Sequence, residues 1–303
     1  MTRLVLFGAP VAIAVSVLFG IGEESEKPAL VPGSASEAGT ETETAAEDDG
    51  ADGADRQAED EQIASLPAGL ADPAAKERAA RLVSSADSST LDWRSRYGAI
   101  EDTGDGNGYT AGIVGFCSGT NDMLQLVEAY TADHPDNPLA PYLPALRAVD
   151  GSGSHEGLDP GFTSAWRRAA EDATFRTAQD ETRDRLYFEP AVRLAKLDGL
   201  GTLGQYVYYD AMVLHGAGTG ARSFYGIRDA ALAEADTPAE GGDETAFLDA
   251  FLDADRAAIL ARKVERDTSR IDTAQRVFLE DGNLDLEPPL TWRVYGETFS
   301  IAS

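Results

Sequence analysis

The chain is short of cysteine, histidine and basic side chains, and each shortage narrows what it does. A single cysteine, Cys117, in 303 residues rules out an intramolecular disulfide. It lies in an apolar run from Ile113 to Phe116, where a buried, inert thiol is expected rather than a nucleophile. The three histidines, His134, His155 and His215, have no ligand spacing among them, so no metal site is expected. Lysine and arginine number 25 against 53 acids, a formal charge of −28. Residues 23–62 hold 14 of the acids against Lys27 and Arg56, and residues 63–303 still carry −17. Such a surface repels nucleic acid and attracts polycations, although charge serves solubility equally well. No internal repeat is present.

What is there divides into three stretches. Residues 1–22 read as an export signal, with Arg3 followed by an almost wholly apolar segment. Its length sits between that of a signal peptide and that of a membrane span. Cleavage and retention as an anchor both stay open, and the expected location is extracellular, secreted or tethered to the outer face of the membrane. Residues 23–66 have almost no large apolar side chains, which predicts a disordered acidic linker. Order is expected over 67–303. Asp72 is a good N-cap with Pro73 behind it, and Ala75, Ala79, Leu82, Val83 and Ala86 mark one helical face. Residues 110–117 read as strand or hairpin. Helices are expected over 122–130, 139–149, 163–186, 191–197, 203–214, 227–235, 243–263 and 273–279. The fold class is mainly α (α+β), with a small β element near the start.

Two segments near the start of the fold concentrate carboxylates. Asp87 falls at the C-terminal end of the opening helix, where the helix dipole favours the protonated acid. Asp105 falls in the Gly-rich loop 104–108, where an ionised carboxylate is more easily kept. Two acids with opposed environments suit acid–base hydrolysis of a glycosidic bond, but Asp followed by Gly is also the commonest turn. An EF-hand register starting at Asp105 fails, because Thr110 stands at its sixth position and Phe116 at its twelfth. Trp93, Trp166 and Trp292, and Tyr208 and Tyr209, are expected in the core.

The order of several motifs adds what spacing does not supply. Ser84, Ser85 and Ala86 followed by Leu91, Asp92 and Trp93 resemble the catalytic region of the family 46 chitosanases. So do Ile100, Glu101 and Asp102 with Gly104, Asp105, Gly106, Gly108, Tyr109 and Thr110, and then Gly115, Phe116, Cys117, Ser118, Gly119 and Thr120. Tyr208, Tyr209 and Asp210, and Asp267, Thr268, Ser269 and Arg270, continue the likeness in family order to the end of the chain. The resemblance implies a lysozyme-like fold with two lobes around a cleft. It implies inverting endo-hydrolysis of chitosan, a cationic β-1,4-linked glucosamine polymer, by a monomer without metal or organic cofactor. It puts the general acid at Asp87, the general base at Asp105, and the threonine that holds the attacking water at Thr110. Asp122 and Thr120 fall on substrate-binding positions. Arg270 and Asp210 fall on the network behind the acid.

The sequence departs from that pattern around the cleft. Asp87 stands where the family has glutamate, one methylene longer, and misplacement of that order costs a factor of about 100 in rate. Asn107 stands in place of an arginine, Ala99 of a tyrosine and Glu265 of a histidine. Asp255 replaces a second arginine of the acid's network, with Arg256 adjacent as a substitute. Three readings therefore stand: a chitosanase, a weak or inactive chitosan-binding protein of the same fold, and a muramidase or chitinase of related fold.

Overall fold

The computed structural model describes residues 49–262 and 266–302. The expected export segment, the greater part of the expected linker and Glu265 lie outside them. The linker's last part differs from expectation. Asp49–Ser65 is a helix, α1, in which alanine, glutamate and glutamine are good formers. It is tied down by Arg193, whose guanidinium contacts Glu59 at 2.6 Å and also meets Asp60.

α2, Pro73–Ser88, begins as its sequence directs, with the Asp72 carboxylate accepting from the Ala74 and Ala75 N–H groups. Its face of Ala75, Ala79, Leu82, Val83 and Ala86 is buried. A three-stranded antiparallel sheet follows: β1 Ile100–Asp102, β2 Tyr109–Ala111 and β3 Phe116–Cys117. Glu101 stands opposite Thr110, and Thr110 opposite Cys117. Then come α3 Asp122–Asp133, α4 Leu143–Val149, α5 Phe162–Ala169 and α6 Ala173–Arg183. The single helix expected over 163–186 is thus broken, because Asp172 caps a new start by accepting from the Thr174 N–H.

A π-helical turn, Asp184–Phe188, carries the chain into α7 Glu189–Leu197, followed by α8 Thr202–His215, α9 Phe224–Leu232 and α10 Glu244–Arg262. A second π-helical turn, Ile271–Gln275, leads to α11 Arg276–Glu280. The chain finishes in an antiparallel hairpin, β4 Leu290–Val294 and β5 Glu297–Ile301.

Two hydrophobic clusters organise these elements. One is built from α2, α7 to α11 and the C-terminal hairpin, around α8, which is buried on nearly every side. The other gathers β1 to β3 with α3 to α6 around Trp166 and Phe175. Tyr187 and Val213 pack against both. The three tryptophans are core residues of these clusters, as expected. Asp87 therefore belongs to one lobe and Asp105 to the other.

Candidate active site

α2 delivers Asp87 at its penultimate position, and the end of the helix is fixed from two directions. The Ser85 hydroxyl donates to the Leu82 carbonyl at 2.7 Å and accepts from the Trp292 indole N–H at 3.0 Å. Ser89 then turns out of the helix in the left-handed region, φ 49°. The Asp87 side chain stays 26% exposed and takes its charge-assisted hydrogen bond from Arg270 Nη2.

Arg270 is shared. Its Nε lies 3.3 Å from Oδ2 of Asp210, a fully buried carboxylate on α8. That distance supports an ion pair, but the N–H is not aimed well enough for a hydrogen bond. Asp210 instead accepts from the Gln275 side-chain amide at 2.6 Å. Burial pushes the Asp210 carboxyl up to about 7 despite Arg270, and the charges of Asp87 and Asp255 push the same way. Burial also opposes the Arg270 cation, yet Asp210 and Asp87 outweigh it, and the arginine's pKa is raised. Two carboxylates thus compete for one guanidinium.

Arg256 does not stand in for the arginine missing at position 255. It points away and pairs with Asp272 at 2.9 Å. Asp255 is fully buried and bonds to His215 Nε2 at 2.7 Å, while Arg262 Nη2 approaches His215 Nδ1 at 3.2 Å. A guanidinium only donates, so Nδ1 is the acceptor and Nε2 carries the hydrogen given to Asp255. Sequence reasoning gave no role to His215 or Gln275 and named Ser85 only as part of a motif. Polar residues in otherwise apolar helical stretches were the one signal that pointed to them.

On the other lobe, Asp105 occupies the exposed loop between β1 and β2. Its Oδ1 accepts from the Asn107 N–H at 2.9 Å and its Oδ2 from the Asn107 side-chain amide at 3.2 Å. Asn107 thus orients the carboxylate that precedes it. The loop is held from below by Ser118, whose hydroxyl accepts from the Tyr109 N–H at 2.9 Å, and by the Gly119 N–H donating to the Asn107 carbonyl. Gly108 has φ 73°, and a Cβ there would collide with the Ser118 hydroxyl, so glycine is required. The Tyr109 hydroxyl donates to Asp159 at 2.6 Å, with its ring stacked on His155 at 4.0 Å.

Thr110, half-buried in β2, has its hydroxyl 3.4 Å from Cys117 Sγ. Burial, with Asp122 adding to it, pushes the Cys117 thiol up to about 11, which leaves it a poor nucleophile at neutral pH. Thr120 and Asp122 are together, but Asp122 is committed. Its Oδ1 accepts from the Thr120 hydroxyl and from the Cys117 and Met123 N–H groups, and its Oδ2 accepts from the Tyr187 hydroxyl at 2.7 Å. At 7% exposure, its first task is to join β3 to α3, and burial raises its pKa. Oδ2, with one bond from Tyr187, is the oxygen with acceptor capacity left for an ammonium.

A helix-borne carboxyl backed by a shared arginine on one lobe, and a loop-borne carboxylate beside a threonine on the other, are the two acids that the family resemblance names. The comparisons with known proteins bear that resemblance out. The profile of glycosyl hydrolase family 46 matches residues 81–290, and the chain belongs to that family. A chitosanase of Streptomyces sp. (strain N174) is 59% identical over 236 residues, covering 78% of this chain and 85% of the relative. A chitosanase of Nocardioides sp. (strain N106) is 55% identical over 235 residues, covering 78% and 84%. Among solved structures, chitosanase OU01 co-crystallised with substrate superposes with a TM-score of 0.76 at 53% identity, covering 78% of this chain and all of that one.

Proposed function

We propose that the protein is an exported chitosanase that cleaves β-1,4-linked glucosamine polymers internally and with inversion. Asp87 gives its proton to the glycosidic oxygen, and Asp105 takes one from a water held by Thr110 on the opposite face of the sugar.

The sharing of Arg270 between Asp87 and Asp210 carries this reading. A carboxyl paired with its own arginine is a poor acid, because the cation holds it ionised. Here one guanidinium serves two carboxyls, one of them in a fully buried site that favours the neutral form. Burial keeps a proton on the Asp210 carboxyl into the neutral range, and Arg270 joins that carboxyl to Asp87. Asp87 is the solvent-accessible member of the pair and so the one placed to meet substrate. The shorter side chain at position 87 still reaches Arg270, so the departure from glutamate preserves the partnership.

The anionic surface suits a polycation, and export suits a polymer too large to enter a cell. Reducing-end release from soluble chitosan at mildly acidic pH tests the reading directly. No release by the unaltered protein, or undiminished release by Asp87→Asn, overturns it.

A further inference from the structure

A cavity of about 280 Å³ opens beside Arg270, walled by His215, Arg262, Arg266, Asp267 and Tyr295. It has room for roughly nine waters at liquid density. Three guanidiniums in one wall are unexpected on a surface where acids outnumber bases two to one. Arg270 is committed to Asp87 and Asp210. Arg262 is held in place by His215 Nδ1 and by the Arg222 carbonyl at 3.3 Å, neither of them a charge partner. Among the described residues, Arg222, Arg262 and Arg266 have no carboxylate within ion-pairing distance. The one carboxylate of the wall, Asp267, spends Oδ1 on the Ser269 N–H at 2.6 Å.

We propose that this cavity is a binding site for an oxyanion, of the sulfate or phosphate type. Guanidinium forks offer the paired N–H donors that such groups accept, and the site is cationic in its own right. Burial, then Arg266 and Arg222, lower the pKa of Arg262, the mark of a positive local field, which Asp105 and Asp255 only partly counter. The bulk negative charge does not cancel this field, because screening confines distant charges to a Debye length of about 8 Å at physiological salt. An anion seated here draws on Arg270, the guanidinium that Asp87 and Asp210 share. Two sources supply such a group: a free ion, or a sulfate carried on a glucosamine chain whose neighbouring sugars are held by the proposed catalytic site.

Calorimetry distinguishes them. Inorganic sulfate is titrated into the wild type, Arg266→Gln and Arg262→Gln/Arg266→Gln at fixed ionic strength set with chloride. Saturable binding with one site is expected, weakened at least fivefold by the single change and more by the double. Arg266 is half-buried and makes no side-chain bond among the described residues, so the single variant tests the site even if the double variant unfolds. In an Asp105→Asn background, which prevents cleavage, glucosamine tetramers with and without 6-O-sulfate are then compared. A gain from the sulfate that disappears in Arg266→Gln identifies the glycan as the source, and inorganic binding without that gain identifies the free ion. Equal affinities in wild type and variants for both probes overturn the proposal. None of these readouts depends on chitosan hydrolysis, so failure of the proposed activity is seen separately.

Discussion

Asp255 receives the Nε2 hydrogen of His215 in a fully enclosed contact of 2.7 Å, and this pair occupies the place where the family resemblance puts an arginine. The exchange removes a cation from behind the acid and leaves Asp210 with an anionic neighbour. The proton on Asp210 is retained more strongly as a result.

The pH dependence of folding follows from this. Asp210 has its folded-state pKa raised from 3.8 to about 7. Below 3.8 both folded and unfolded forms are protonated. Between 3.8 and about 7 the folded state keeps a proton that the unfolded chain has released, so stability falls as pH rises through that window. The loss is on the order of 2–4 kcal/mol. Thermal unfolding between pH 5 and 8 should show Tm dropping, with a shallower drop in Asp210→Asn. An identical slope in the two proteins contradicts the assignment.

Asp105→Asn should lower kcat at least about 100-fold while leaving Tm and chitosan binding within error. The amide fills the same space but takes no proton, and the loop it occupies is secured by Ser118 and Gly119 rather than by the carboxylate. Turnover near that of the unaltered protein transfers the role of base elsewhere.

Asp87→Glu should raise kcat several-fold with little change in KM. The Asp87 side chain is 26% exposed, so the added methylene has solvent to extend into while Arg270 stays in reach. Protonation of the leaving oxygen is made mainly in the transition state, which is why the gain belongs in kcat. A fall in both kcat and Tm shows instead that the site has closed around the shorter acid.

Asp122→Ala should cost at least about 2 kcal/mol in urea unfolding, because it leaves the Cys117 and Met123 N–H groups and the Thr120 and Tyr187 hydroxyls without their acceptor. A change confined to KM, with stability intact, shows that the carboxylate serves substrate before structure.

Much of the fold was legible where one local signal sufficed. The cap at Asp72 and the face of Ala75, Ala79, Leu82, Val83 and Ala86 define α2 as it stands, and the Gly-rich run marks the loop of Asp105. The break at residues 170–172 depends on the Asp172 cap, which lies inside a stretch whose periodicity reads on through it. The C-terminal hairpin was missed although Leu290, Trp292 and Val294 alternate cleanly inward, because the surrounding helical pattern set the expectation. In the site, Asp87, Asp210 and Arg270 were named from family order and are found in contact. The bond of Asp255 to His215 joins residues forty positions apart on different helices, and no spacing rule reports such a contact.

The bond from Trp292 to Ser85 spans 207 positions. The helix that carries the acid is made early in synthesis, but the indole that secures its end belongs to the closing hairpin. A contact of such sequence separation forms late and imposes a slow search. A chain not yet made as far as Trp292 therefore lacks the partner that secures the end of the helix bearing the acid.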